Sequence, residues 1–386
     1  MTRRATSAHH TYHVPRLKEL QRLYWAHTIK SLAAGMAAIF VPIYLYKLGY
    51  SLSSILIYFL LATLVWAATQ APALRFANRV GFNRCMGLSL LIEGFQILML
   101  ATIPQLHWPL WAISLVYGIQ ISTYWPQFRA CFARSLLHQK VGPAVGLSSA
   151  LLMLALGIAP AAGGAIATWF GITMLYTLAM LCFATAALPL LSGPETIKQE
   201  AISLKGISWR RIRRDLIANG GSEIDAVVAE DIWPLFIFLL VPSYVGVGVL
   251  SSVAVIASMS IALYVGRRRS TKQAAYLNNG TGVVSLTNAI RLITQSATQI
   301  AGINFINGLG EALLVTPFYS RYYQNAEHEP LVPYVYAMMM ACVVADCLLY
   351  GSLLILSLFF SVKVVLSIGL LIAVPASYTI KLIRTA

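Results

Sequence analysis

Charged residues are scarce in this sequence, and acidic residues are the scarcest. Only 11% of the 386 residues are charged, whereas soluble domains have about 25%. Asp and Glu together number 13, against 28 Lys and Arg. With 58% hydrophobic residues and a mean hydropathy of +0.72, the chain lacks the polar surface that a soluble domain needs. The composition therefore indicates a multi-pass membrane protein.

Other absences exclude whole classes of activity. The five cysteines are scattered in or beside apolar runs, without the spacing of a zinc site or a disulfide framework. No nucleotide-binding loop, zinc-protease motif or hydrolase nucleophile motif occurs. His9, His10 and His13 precede the first apolar run in a polar segment and do not indicate a metal site. We expect no catalytic residue, metal or cofactor, and no enzymatic activity.

Long apolar runs are abundant. A transmembrane helix needs about 20 mainly apolar residues. Charge, proline and glycine divide the chain into twelve candidate runs at 25–46, 53–73, 85–103, 108–128, 143–169, 172–192, 232–249, 250–266, 277–295, 298–318, 332–358 and 361–382. The sequence predicts an all-α membrane protein with twelve transmembrane helices.

Basic residues are distributed unevenly between these runs. If the amino terminus is cytoplasmic, 24 of the 28 Lys and Arg residues fall in cytoplasmic segments. Lys47 and Lys363 fall in the opposite loops, and Lys30 and Arg291 fall within runs. Such an excess is typical of cytoplasmic loops. We expect both termini in the cytoplasm, a location in the cytoplasmic membrane, and no nucleic-acid partner for the net charge of +15.

The longest polar segment divides the runs six and six. The expected organisation is a cytoplasmic N-terminal segment at 1–24, a six-helix bundle at 25–192, a linker at 193–231, a second bundle at 232–382 and a cytoplasmic tail at 383–386. Within the linker, apolar residues recur at near-helical spacing among arginines: Ile207, Trp209, Ile212 and Leu216. This pattern predicts either an amphipathic helix on the membrane surface or a solvated charged loop.

The two halves repeat short strings of sequence. Val41-Pro42-Ile43-Tyr44 in the first run recurs as Val241-Pro242-Ser243-Tyr244 in the seventh, and Leu-Ser-Ser follows each within about ten residues. Parallel six-helix repeats are a known plan of secondary transporters. The strings therefore favour two related bundles.

The loop between the second and third runs, residues 74–84, resembles the basic loop signature of the major facilitator superfamily, Gly-x-x-x-Asp-Arg-x-Gly-Arg-Arg. Arg79, Gly81 and Arg84 match it, while Asn78 replaces the aspartate. The resemblance implies two pseudo-symmetric six-helix bundles that move about a central substrate site. It also implies a gating role for Asn78, Arg79, Gly81 and Arg84. A simple role as topology anchors is the alternative.

The fifth run resembles a pattern that this superfamily associates with exporters, Gly-x8-Gly-x3-Gly-Pro-x2-Gly-Gly. The matching or substituted positions are Gly146, Ala155, Ala159, Pro160, Gly163 and Gly164. Small residues let helix backbones approach closely, and proline bends the helix. The pattern predicts a helix-packing face and favours export slightly.

Few ionisable residues fall inside the runs, and each is a candidate for function because burying charge in a bilayer is costly. Glu311 shares a polar stripe with Asn304 and Asn307 on the tenth run and is the first candidate for proton coupling. The alternative is a hydrated Glu311, or one paired with Arg321. Asp346 is the second candidate.

Arg291 on the ninth run requires a carboxylate partner, for which Glu311 and Asp346 are the candidates. A structural ion pair is an equally valid interpretation. In the resembled fold the first, fourth, seventh and tenth helices line the cavity. The resulting substrate-site candidates are Tyr44, Tyr117, Gln120, Tyr124, Tyr244, Asn304 and Asn307. Aromatic side chains with few charges suit an amphipathic or cationic organic substrate.

We therefore expect a monomeric secondary transporter that moves a small organic molecule by alternating access. Proton coupling is expected because the sequence has no nucleotide-binding motif. Three alternatives remain open: a lipid flippase or scramblase on the same scaffold, a polytopic enzyme acting on lipid-linked substrates, and a sensor or scaffold without transport activity.

Overall fold

The structure is a computed structural model that describes residues 17–136, 143–193, 195, 207–266 and 273–385. It contains helices and no strand within these ranges. The α-helices are α1 Leu17–Ala37, α2 Val41–Lys47, α3 Leu52–Val80, α4 Phe82–Ala101, α5 Ile103–Leu106, α6 Leu110–Leu136, α7 Pro143–Trp169, α8 Ile172–Leu191, α9 Trp209–Val227, α10 Trp233–Leu240, α11 Tyr244–Gly266, α12 Gln273–Arg291, α13 Ala297–Glu327, α14 Leu331–Ser357 and α15 Val362–Thr379.

These helices make twelve passages within the described residues, which confirms the all-α expectation. α1 and α2 form the first passage, α9 and α10 form the seventh, and α5 is a short helix between passages. Seven passages are long and apolar enough to cross a membrane by themselves. Of the other five, the passages of α6, α9, α12 and α13 carry many of the polar residues of the interior, and α7 contributes the shorter apolar stretch Leu156–Trp169 within the described residues. The chain is an integral membrane protein.

The seventh passage differs from its predicted position. It begins at Trp209 and ends at Leu240, instead of covering 232–249, and the eighth begins at Tyr244 instead of residue 250. More than half of the segment 193–231, expected as a linker, is therefore helix of the second bundle. Its apolar stripe, expected either on the membrane surface or in a solvated loop, packs on protein in part. Ile212 is fully buried among residues of α12, α13 and α14, whereas Trp209 is 52% exposed.

Both the first and the seventh passage are interrupted halfway. A 3-10 turn, Ala38–Phe40, joins α1 to α2, and a π-helical turn, Val228–Ile232, joins α9 to α10. Pro42 and Pro234 lie in the first turn of the helix that follows each break. Proline has no amide hydrogen, so the helical hydrogen bonding cannot pass through it unchanged. By its position in the passage, Pro42 therefore corresponds to Pro234. The repeated string Val-Pro-x-Tyr predicts Pro242 as the counterpart of Pro42, and this prediction is wrong.

The passages form two halves, α1–α8 and α9–α15, which meet along α7 with α11 and along α3 with α14. Glycines bring the backbones together at the first of these contacts. Side chains at Gly164 and Gly248 would overlap the backbones of Tyr244 and Pro160, respectively. Within the first half, α7 also approaches α1, because a side chain at Gly163 would overlap the backbone of Met36.

The predicted packing residues of the fifth run thus lie where α7 touches two neighbours. Ala159 is fully buried, and a methyl group at Gly35 would lie 3.1 Å from its Cβ. Gly146 and Ala155 belong to the first part of α7, whose side chains lie outside the described residues.

One end of the bundle carries Gly81, Trp209 and Arg384, and we call it the basic end. Here the last residues of the chain bind the first helix of the second half. Arg384 contacts the buried carboxylate of Asp215 through Nη2 at 2.7 Å, Nε at 2.8 Å and its backbone amide at 3.0 Å. Tyr334 and Asn325 donate to the same carboxylate at 3.0 and 3.3 Å.

Replacing Gly163 with alanine is expected to destabilise the protein, because the new methyl group overlaps a backbone carbonyl that no side-chain rotation can move. Overpacking of this kind costs about 1–3 kcal/mol. Thermal unfolding of the purified protein, followed by tryptophan fluorescence, measures the effect. Gly282→Ala on α12 is the matched control, because nothing lies within 4 Å of its new methyl group. Equal midpoints for the two variants would contradict the close approach of α1 and α7.

Candidate functional site

A cavity of about 260 Å³ lies between the two halves. α1, α3, α4 and α6 line it from the first half, and α9, α13 and α14 line it from the second. The interruption of the seventh passage opens directly onto it, because Glu230 and Asp231 of the π-helical turn are among its lining residues.

The wall from the first half is aromatic. It is formed largely by Tyr58, Phe59, Trp66, Tyr117 and Trp125. Tyr58 accepts a hydrogen bond from Gln96 at 2.8 Å and stacks on Tyr117, with 6.0 Å between ring centroids. These contacts hold the rings in place and present their faces and edges to the cavity.

A buried ion pair supports this wall. Lys30 Nζ lies 3.2 Å from Glu93 Oε1, and the amide of Gln120 donates to Glu93 Oε2 at 2.9 Å. The ammonium group also lies 5.0 Å from the ring centroid of Tyr124 and 5.1 Å from that of Trp125. The positive charge is thus matched by one carboxylate and two aromatic faces, which offsets the cost of burying it.

The wall from the second half is acidic. Its carboxylates are Glu223, Glu230, Asp231 and Asp346. Tyr350 donates a hydrogen bond to Asp231 Oδ2 at 2.6 Å. Asp346 is only 5% exposed, yet its Oδ1 has no hydrogen-bond partner among the described residues. The cavity therefore contains a buried acceptor that the described protein atoms leave unused.

Contacts between the halves close the basic end of the cavity. The guanidinium of Arg129 on α6 lies 5.7 Å and 5.6 Å from the ring centroids of Tyr319 and Tyr322 on α13. Phe132 packs on Tyr323, with 5.2 Å between centroids.

Other contacts between the halves close the opposite end. Phe59 stacks on Tyr350 at 5.4 Å between centroids, and Lys47 Nζ lies 4.5 Å from the ring centroid of Tyr244. The hydroxyl groups of Ser53 on α3 and Ser357 on α14 are 2.9 Å apart. The cavity is thus closed by one set of contacts at each end.

A second polar cluster lies inside the second half, away from the cavity lining. The carboxyl groups of Glu311 and Asp225 lie within electrostatic reach of each other and of Arg291. Asp225 Oδ1 accepts from Ser377 at 2.6 Å and from Asn288 at 2.8 Å.

Arg291 is held on two sides within this cluster. Its Nη1 donates to Asn288 Oδ1 at 2.7 Å, and its guanidinium lies 4.7 Å from the ring centroid of Trp233. We call Asp225, Glu311 and Arg291 the carboxyl cluster. The expected partner Glu311 is therefore near Arg291, whereas Asp346 lies in the cavity.

Among the seven residues predicted to line the cavity, Tyr117 does so and the others take structural positions in the described chain. Asn304 accepts from Trp233 at 2.9 Å, and Asn307 accepts from Thr287 at 2.7 Å. These short polar side chains are buried, and they form hydrogen bonds with groups on neighbouring helices. The predicted polar stripe of α13 therefore faces its own bundle.

The other predicted cavity residues also lie against protein. Gln120 and Tyr124 support the Lys30–Glu93 pair. Tyr44 packs edge-on against Tyr176 at 5.5 Å between centroids, and Tyr244 packs edge-on against Phe40 at 5.6 Å. Tyr244 begins α11 and does not belong to the seventh passage.

The predicted gating loop contains a carboxylate from a distant part of the sequence. Asn78 and Arg79 lie in the last turn of α3, and Gly81 joins α3 to α4 with a φ of 103°. Glu195 accepts from the backbone amides of Asn83 at 3.0 Å and Arg84 at 3.3 Å, and lies 3.6 Å from Arg84 Nε. A negative charge at a helix N-terminus is stabilising. Glu195 thus supplies an acid in a loop whose signature aspartate is replaced by Asn78.

Four acidic residues of the interior were missed because they fall in the expected linker: Glu223, Asp225, Glu230 and Asp231. The distribution of Lys and Arg in the sequence nevertheless indicates that these four residues belong to transmembrane passages. Arg214 is followed by no Lys or Arg until Arg267, a gap of two passages. Glu223 and Glu230 are seven residues apart, which places them on one helix face.

Comparison with known proteins identifies the fold. No protein-family model and no curated protein matches the chain. The solved structure of the nucleoside transporter NupG matches with a TM-score of 0.66 and 10% identity, covering 94% of this chain and 99% of that one. A peptide transporter POT matches with a TM-score of 0.64 and 11% identity over 93% of each chain.

A POT family transporter in complex with 5-aminolevulinic acid matches with a TM-score of 0.57 and 12% identity, covering 93% of this chain and 94% of that one. At these identities the likeness concerns the fold. The chain has the fold of the major facilitator superfamily, as expected from its loop signature and its fifth run. The matching structures are transporters, not enzymes.

Removing one partner of the Lys30–Glu93 pair is expected to destabilise the protein more than removing both. Lys30→Met leaves a carboxylate without its cation, and Glu93→Gln leaves an ammonium without its anion. Breaking a buried pair in this way costs about 3–5 kcal/mol, whereas replacing both members is far less damaging. Thermal unfolding of the two single variants and the double variant measures the coupling. Additive losses would show that the two groups do not interact.

Proposed function

We propose that this protein is a secondary transporter that moves a small organic molecule across the membrane by alternating access. The observation that carries the proposal is the cavity between the two halves, which contacts between the halves close at each end. In transporters built from two six-helix repeats, substrate sites lie near the middle of the membrane where the repeats meet. The cavity lies where the two halves meet, which supports the proposal.

Alternating access requires the two closures to open in turn. Separation of Arg129 and Phe132 from α13 opens the cavity at the basic end. Separation of Lys47 from Tyr244 and of Ser53 from Ser357 opens it at the other end. Both sets consist of ring contacts and single polar contacts, which are weak enough to break reversibly. The small residues of α7 keep the halves close while they rock.

We further propose that the carboxyl cluster couples transport to a proton gradient. Asp225 and Glu311 lie close together, and two neighbouring carboxyl groups cannot both be ionised at low cost. Glu311 is therefore suited to carry a proton that it releases when Arg291 or water approaches. Asp225 lies on α9 between Glu223 and Glu230, so a change of charge on Glu311 bears on the helix that forms the acidic wall.

The remaining candidates complete the proposal. Asp346 lies in the cavity, where it is placed to exchange a proton for a substrate. The pattern of Ala159, Pro160, Gly163 and Gly164 supports export as the direction. The excess of basic residues at one end supports a location in the cytoplasmic membrane with both termini in the cytoplasm. We propose that the transporter works as a monomer, because a single chain forms the complete cavity.

Loss of the carboxyl cluster is expected to uncouple transport from the proton gradient. Glu311→Gln and Asp225→Asn should each lower gradient-driven flux in proteoliposomes by about tenfold or more. Exchange of labelled for unlabelled substrate without a gradient should continue, because it needs no net proton movement. Glu327→Gln, at the exposed end of the same helix α13, is the matched control. Undiminished gradient-driven flux in both cluster variants would refute the coupling site.

A cross-link at the end opposite the basic end is expected to stop transport. The side chains of Ser53 and Ser357 are close enough for cysteines at these positions to form a disulfide between the halves. Oxidation of the double variant should abolish flux, and reduction should restore it, while each single cysteine variant should be insensitive to oxidation. Full flux through the cross-linked protein would contradict alternating access. Lipid scrambling in vesicles under the same conditions would instead favour a scramblase.

A further inference from the structure

The two walls of the cavity have opposite chemistry, and their charges do not balance. Five carboxylates line the cavity: Glu93, Glu223, Glu230, Asp231 and Asp346. Among the described residues, the cations that face them are Lys30, which is paired with Glu93, and Arg129, which lies at the basic end. The second half thus contributes four carboxylates, against which the described cavity residues set the single charge of Arg129, within electrostatic reach of Glu223. A ligand that supplies positive charge would complete this wall.

Asp346 identifies where such a ligand is needed. Its side chain is only 5% exposed, and one of its carboxylate oxygens has no hydrogen-bond partner in the described chain. Buried carboxylate oxygens are otherwise hydrogen-bonded, because an unsatisfied one is costly. Asp346 lies on α14 within electrostatic reach of both Glu223 and Asp231. It therefore lies between the two ends of the acidic wall.

The acidic wall is long rather than compact. Glu223 on α9 and Glu230 in the π-helical turn that follows it are seven residues apart, a separation of roughly 10 Å along the passage. No group of three His, Cys, Asp or Glu side chains in the described residues is close enough together to hold a metal ion. A single small cation would therefore contact one part of the wall and leave the other unpaired. A molecule with two separated positive charges would contact both.

The opposite wall suits the uncharged part of such a molecule. Tyr58, Phe59, Trp66, Tyr117 and Trp125 offer ring faces to a chain of methylene groups and to the charged ends themselves. A volume of about 260 Å³ restricts the ligand to a small molecule.

We propose that the cavity binds an elongated organic dication, a molecule with two amine or guanidine groups joined by an apolar chain. One group lies between Glu230 and Asp231, and the other lies near Glu223. Asp346, within electrostatic reach of both positions, accepts a hydrogen bond from one of these two groups. The role of the dication as a substrate rests on the proposed transport function. Its binding site is inferred from the cavity alone.

Binding of matched amines to the purified protein tests the proposal. Putrescine, cadaverine and hexamethylenediamine are titrated by isothermal calorimetry beside the monoamine of the same chain length, the corresponding diol and the corresponding dicarboxylate. The second amine gains a charge-assisted contact only if two acidic positions are present. Each diamine that reaches both positions should therefore bind about tenfold or more tightly than its monoamine. The diols and dicarboxylates should not bind.

Two cavity variants and one control locate the contacts. Glu223→Gln and Glu230→Gln should each remove the advantage of the diamine over the monoamine, whereas Glu327→Gln outside the cavity should preserve it. The comparison of ligands on the unmodified protein decides the question if a variant does not fold. Equal affinity for diamines and monoamines, or binding of the diols, would overturn the proposal.

Flux measurements separate this inference from the transport function. Tight diamine binding without diamine flux in proteoliposomes would refute transport and leave the dication site in place. Flux of a neutral or anionic solute that diamines neither share nor inhibit would refute the dication site and leave transport in place.

Discussion

The fold depends on one constraint: a polar group inside a bilayer must find its partner within the protein, because no water is available in the hydrocarbon region. Lys30 meets this constraint with Glu93 and two aromatic rings. Arg291 meets it with Asn288, Trp233 and two nearby carboxyl groups. In each case partners come from other helices, such as Glu93 on α4 and Trp233 on α10, so satisfying the polar group also fixes how those helices pack. Asp346 meets it only in part. Its Oδ1 has no partner among the described residues, as is also the case for Arg291 Nε and Trp66 Nε1, and it lies in the cavity.

The same constraint explains which predictions from the sequence were correct. The number of passages follows from the length of apolar runs, and the paired bundles follow from the polar break in the middle. The packing face of α7 follows from Gly163 and Gly164, since glycine has no side chain to keep two backbones apart. These features depend on local composition, which can be determined from a single sequence.

The positions of the cavity residues could not be obtained in this way. Glu223, Glu230 and Asp231 were assigned to a linker because they make the first half of the seventh passage polar, and a hydropathy pattern treats such a helix as a loop. Asn304 and Asn307 were assigned to the cavity because they share a stripe with Glu311, but a stripe does not indicate whether it faces a cavity or a neighbouring helix. The rotation of α13 about its axis decides this, and the rotation is set by side chains distant in sequence, such as Trp233 and Thr287.

The bond between Asp215 and Arg384 joins the first helix of the second half to the end of the chain, 169 residues later. During synthesis on the ribosome, the seventh passage leaves the exit tunnel long before Arg384 has been made. The buried carboxylate of Asp215 then lacks its guanidinium until the segment that carries Arg384 emerges. Assembly of the second half therefore cannot be completed helix by helix in order of synthesis, because its first helix waits for a partner that follows its last one.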